Sequence, residues 1–150
     1  MKSSAWAGLV LLGLLGSVPG AVRAQDAAPD VKASLGRNYP NPFNPETFIP
    51  FRLAPELFTG GQRPVVSLKI YNVLAQLVAV PIVQGSGERL DNASLSWNGT
   101  GDYIAYWDGK FQSTEREAAS GVYVYQMVVQ WVQDGKTHTK TSSNKMTVMK

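Results

Sequence analysis

The chain has 150 residues, enough for one domain and hardly for two. With 44% hydrophobic and 17% charged residues it can bury a core, which excludes wholesale disorder. A balance of 14 basic against 11 acidic residues gives no support to nucleic-acid binding, which needs a clustered basic face, and the lack of cysteine excludes disulfides and thiol chemistry.

Residues 1–24 read as a signal peptide. Lys2 precedes an apolar run from Ala5 to Leu15, Pro19-Gly20 breaks it, and Val22-Arg23-Ala24 offers small residues at the first and third places. Cleavage is expected between Ala24 and Gln25. The run is short for a membrane span, which needs about 20 residues. Removing Lys2 and Arg23 leaves 12 basic residues against 11 acidic ones, so the net charge of +3 falls to +1. Export is therefore expected, to the periplasm, the outer-membrane surface or the medium of a bacterial cell, since an exported domain without disulfides suits a bacterial envelope.

Residues 25–37 read as a polar leader without a convincing period, and residues 38–150 as one β-sandwich domain. Its first stretch is Tyr39-Pro40-Asn41-Pro42-Phe43-Asn44-Pro45. Proline fixes its own φ, pushes the residue before it toward extended conformations and donates nothing to a ladder, so this stretch is expected along a sheet edge. Ile49, Phe51 and Leu53 then alternate with Pro50 and Arg52, the period of a half-buried strand. Val66, Leu68 and Ile70 predict a second strand, and a turn over 71–76 leads to a third at 77–80. Residues 93–97 and 103–107 are expected to form a hairpin about Asn98-Gly99. Residues 110–120 read as a loop. The β-branched and aromatic run 122–132 is the strongest strand, Asp134-Gly135 a turn, and 137–149 one strand with a break or two strands. The sum is an all-β, immunoglobulin-like antiparallel sandwich of about seven or eight short strands.

Three pieces of the chain, "NYPNPFNPETFIPFRL", "VVSLKIYNVLAQLV" and "YWDG…ASGVYVYQM" with a terminal "NKMTVMK", resemble the C-terminal (type A) sorting domains of type IX secretion cargo. They are also similar to the immunoglobulin-like domain of the flagellar hook-capping protein. The likeness covers residues 38–150. It rests on the proline motif, on Trp107-Asp108-Gly109 and on Ser120-Gly121-Val122-Tyr123. It implies that the final strand carries a recognition signal, which makes Lys145, Met146, Val148, Met149 and Lys150 docking candidates; without the resemblance, the same residues read equally well as an edge strand with Lys placed to discourage sheet-to-sheet pairing. The chain departs from the pattern in three places. Ala75 replaces a glycine in the 71–76 turn, where a positive φ would strain alanine. The loop after Gly109 has no further glycine, and residues 81–102, with Trp97, are longer than usual. Family members carry a large cargo, whereas only a short leader precedes this domain, so either the domain itself is expected to be the useful object or this chain is a member recruited to a different partner.

Catalytic chemistry finds little support. His138, the single histidine, sits in the polar run "GKTHTK" and reads as a solvent-facing strand residue. Asp102, Asp108 and Asp134 lack calcium-loop spacing, and Asp108-Gly109 and Asp134-Gly135 read as turns. No enzyme activity, metal or cofactor is expected. Tyr123, Tyr125, Met127 and Val129 share one strand face and read as core. The opposite face, from Val122 to Val132, is unusually apolar for solvent and suits a protein partner or a membrane surface. Three functions follow as expectations: a protein partner in a secretion or envelope apparatus, an accessory structural subunit of an envelope membrane-protein complex, and, with least support, sugar binding by a stacking platform of Tyr103, Tyr106, Trp107, Tyr123, Tyr125 and Trp131.

Overall fold

The structure, a computed structural model, describes residues 31–150. The predicted signal peptide and the first part of the leader lie outside the described residues. Among the described residues there are nine strands rather than seven or eight: β1 (Ala33–Leu35), β2 (Thr47–Leu53), β3 (Val65–Tyr71), β4 (Leu77–Ala79), β5 (Ile82–Val83), β6 (Ala93–Ser94), β7 (Asp102–Trp107), β8 (Gly121–Gln133) and β9 (Lys136–Val148). They form an antiparallel sandwich of two sheets. One has the order β1-β2-β7-β5; the other has β4-β3-β8-β9, with β6 also on β3. A short 3-10 segment, Pro55–Gly61, follows β2. No helix among the described residues is long and apolar enough to cross a membrane.

The period-two patterns place the core. Ile49, Phe51 and Leu53 of β2 and Val66, Leu68 and Ile70 of β3 point inward, as do Tyr123, Tyr125, Met127 and Val129 of β8. All belong to one hydrophobic cluster. Burying each large side chain stabilises the fold by about 1.5–3 kcal/mol before chain entropy is counted.

Four expectations need correction. First, the leader is not all tether: Ala33–Leu35 is a strand of the first sheet, paired with Phe51–Leu53, and Ala33 is buried. Three residues are too few to show a period. Second, 93–97 and 103–107 do not form a hairpin. Ala93 and Ser94 pair with Val66 and Val65 of one sheet, whereas β7 pairs with β2 of the other. Between them Asn98 organises a loop. Its Oδ1 accepts from the Thr100 and Gly101 N–H groups, and its Nδ2 donates to Asp102 O. Gly101 has φ +80 and lies so close to Leu53 O that a Cβ would overlap it. Third, the short pair Ile82–Val83, just after Pro81, adds β5 at the edge of the first sheet. Fourth, β9 runs unbroken from Lys136 to Val148 because every residue pairs with β8. Asp134 and Gly135 (φ 52 and 70) join the two strands in the type I′ form that two-residue hairpins favour.

Pro50 lies inside β2, a strand paired on both sides, and its position shows how the missing N–H is tolerated. Pro50 O accepts from Gly36 N just past the end of β1. The returning bond to Gly36 O is supplied instead by Tyr125 Oη (2.8 Å) and Asn144 Nδ2 (3.2 Å). Gly36 is small for a reason, since a Cβ there would sit 2.7 Å from Pro50 Cγ.

Candidate functional site

The proline motif leaves the edge of the first sheet, crosses to the edge of the second, and returns into β2. At the crossing, Phe43 N donates to Thr147 O and Met149 N donates to Phe43 O, both at 3.0 Å. Asn41 Oδ1 accepts from Thr147 N at 3.0 Å. The prolines do therefore run along an edge, that of β9. The Tyr39–Pro40, Asn41–Pro42 and Asn44–Pro45 peptide bonds are cis. At the motif's base Asn38 Nδ2 donates to Thr47 Oγ1, and the Thr47 hydroxyl lies within hydrogen-bond distance of Tyr39 O and Pro40 O.

Phe43 is only 2% exposed, and its ring meets Trp107 edge-on at 5.4 Å. Trp107 meets Tyr123 in the same way at 5.9 Å. Such edge contacts are worth about 0.5–1.5 kcal/mol beyond the buried area. Trp107 Nε1 donates to Lys110 O, and Tyr123 Oη donates to Ala119 O. Asp108 Oδ1 accepts from Lys110 N. Gly109 has φ +77, and a Cβ on it would overlap the Pro45 carbonyl oxygen. Ser120 Oγ accepts from Lys150 N, and Lys150 Nζ meets Glu117 Oε2 at 2.8 Å. Lys150 holds the exposed Glu117 carboxyl below the usual carboxylate range. The three motifs and the final strand thus gather at one end of the sandwich. Their shared work is to fasten β9.

That geometry divides the docking candidates. Met146 is fully buried and Val148 nearly so, hence neither reaches a partner. Lys145, Met149 and Lys150 are exposed, with Met149 at 59%. Of the motif residues, Phe43, Trp107 and Tyr123 are core, while Val122 is exposed.

A surface that residue patterns did not single out lies beside them. Tyr71 pairs with Val124 on one side and Leu77 on the other, so the turn 72–76 projects past the same sheet end as Val122 and Met149. Val73 and Leu74, at the tip, are each 74% exposed. The turn is stiff: Asn72 Oδ1 accepts from Leu74 N and Gln76 N, and Asn72 Nδ2 donates to Gln76 Oε1. Ala75 has the positive φ (60) that the sequence made a concern. Five of the nine exposed large hydrophobics among the described residues (Val73, Leu74, Leu77, Val122 and Met149) belong to this end. The "NVL" of the turn was the available signal.

The tryptophans answer the sugar-platform expectation in part. Trp107 is core, Trp97 is tilted against Phe58, and the half-buried Trp131 stacks on His138 at 5.6 Å and 17°. No two tryptophan rings pair among the described residues. Tyr103 is buried, and Tyr106 donates to Glu46 Oε2, a bond that helps push its pKa up to about 12. His138 is an exposed strand residue, and no group of three His, Asp or Glu side chains gathers as a metal site among the described residues.

Neither the protein-family models nor the curated proteins contain a match to this chain.

Proposed function

We propose that this chain is an exported, non-catalytic interaction module that docks to a protein of a secretion or cell-envelope apparatus. The observation that carries this reading is the apolar cluster at the motif end of the sandwich. A stiff turn holds Val73 and Leu74 in solvent beside Val122 and Met149. Five of the nine exposed large hydrophobics among the described residues gather at this end, and such a grouping marks an interaction surface. The resemblance to sorting domains supports the same end, because it assigns recognition to the final strand and Met149 belongs to the cluster.

The test is purification of the tagged full chain from its native host in mild detergent, with mass spectrometry of its companions and its N-terminus. An N-terminus at Gln25 and a partner lost in the Val73→Ser/Leu74→Ser variant are expected. Recovery alone from the cytosol, with Met1 retained, contradicts the proposal. Fixed stoichiometry with integral membrane proteins favours the accessory structural subunit over the delivered module.

A further inference from the structure

β9 is an edge strand, and among the described residues its edge is filled only in part. Thr147 sends its N–H and C=O away from β8, to Asn41 and Phe43. Antiparallel ladders alternate, so Thr137, Thr139, Thr141, Ser143 and Lys145 point their backbone groups the same way. Among the described residues, those groups have no backbone partner. The strand is held from behind, where Lys140 Nζ donates to Ala33 O at 2.7 Å and Asn144 Nδ2 to Gly36 O at 3.2 Å. A straight, braced row of open donors and acceptors is a template for an added strand. Phe43 already uses the far end of that row, in a parallel sense.

The charges select the occupant. From Lys136 to Lys150 the chain has four lysines, His138 and no acidic residue. Arg37 joins Lys145 beside a shallow groove lined also by Asn41, Ser143 and Asn144. Among the described residues Arg37, Lys136 and Lys145 are in no ion pair. A second copy paired along residues 137–145 would bring Lys140 and Lys145 of both chains together over a stretch that has no acidic residue, which disfavours self-association.

We propose that the open edge of β9, from Thr137 to Lys145, binds an extended acidic segment of a partner protein by strand addition. β-branched residues of that segment would pair with Thr139 and Thr141, and carboxylates would meet Lys136 at one end and Lys145 with Arg37 at the other. This rests on the docking reading above, and it names a second contact and its chemistry.

The experiment measures fluorescence anisotropy of a labelled peptide of alternating Thr and Val with Glu at both ends, titrated with the full chain. Saturable binding that weakens with added salt is expected. Thr141→Pro removes an outward N–H without touching the β8 ladder and should weaken binding by about tenfold or more. In case that variant unfolds, Lys136→Glu/Lys145→Glu, which alters exposed side chains only, should weaken binding by about tenfold. A peptide with Lys in place of Glu should not bind. No saturable binding by the wild-type chain, equal binding by both peptides, binding unchanged in the charge-reversed variant, or sedimentation of the chain as a dimer would each overturn the inference. Repeating the native-host purification with the charge-reversed variant separates the two proposals. If the partner is retained, the edge is not the contact and docking stands; if the wild type brings no partner, docking itself fails.

Discussion

At the C-terminal end of β9, Met146 and Val148 lie in the core with Phe43, Trp107 and Tyr123, and the outward groups of Thr147 are bound by Asn41 and Phe43. At the other end of the same strand, Lys136 to Thr139 are exposed and, among the described residues, the outward backbone groups have no backbone partner. Both halves are paired to β8 in one unbroken register. The difference comes from what the rest of the chain brings up against them. A proline-stiffened segment, unable to extend a ladder of its own, closes one half and leaves the other free. A sheet edge can thus be guarded over part of its length and offered over the remainder.

The contrast predicts unequal sensitivity to substitution. Phe43→Ala removes the buried ring that joins Trp107 to the β9 edge and should cost about 3–5 kcal/mol in denaturant unfolding. Val132→Thr, near the free end of the hairpin, should change stability by no more than about 0.5 kcal/mol in the same measurement. Similar losses at both positions would remove the distinction between the halves.

Between the two regions stands Tyr125, whose hydroxyl donates to Gly36 O and accepts from Asn38 N. Tyr125→Phe leaves the Asn38 N–H without its partner and should cost about 1–3 kcal/mol. Gly36 O keeps Asn144, so the loss should stay below that of Phe43→Ala.

The turn beside the motif end carries removable strain. Ala75→Gly at φ 60 should raise stability by about 0.5–1 kcal/mol, read as a higher unfolding midpoint. The partner-binding surface should be unchanged, since Val73 and Leu74 remain in place.

Alkaline titration gives the smallest effect. Burial raises the pKa values of Tyr103, Tyr123 and Tyr125 above 10.0, and the hydrogen bond to Glu46 takes Tyr106 to about 12. In each case the folded state holds the proton more tightly than the unfolded one. The associated stability is complete below pH 10 and is lost as pH rises through the folded values. Phenolate absorbance should show Tyr106 ionising late, and Glu46→Gln should bring its titration earlier.

Alternation made much of the fold legible. The inward residues of β2, β3 and β8 all follow from period-two patterns, and Asp134-Gly135 follows from turn chemistry. β1 was hidden because three residues show no period and its partner is far along the chain. The expected 93–107 hairpin failed because Asn98-Gly99 resembles a tight turn locally, whereas the sheet to which Ala93 belongs is settled by Val65 and Val66. At the site, the motif residues were legible as a set, and their convergence on β9 was not. The burial of Met146 and Val148 depends on the facing aromatics, which linear spacing does not reveal. The open half of β9 was equally hidden, since only the path of the proline segment decides where the guard stops.

Residue-resolved amide hydrogen exchange along β9 in the free protein tests the central claim most directly. The account predicts slow exchange at Thr147 and Met149, and fast exchange at Thr139, Thr141 and Ser143, while the alternate residues paired to β8 stay protected. Uniform protection of Thr139 through Thr147 would mean that the edge is already covered, and the account would be wrong.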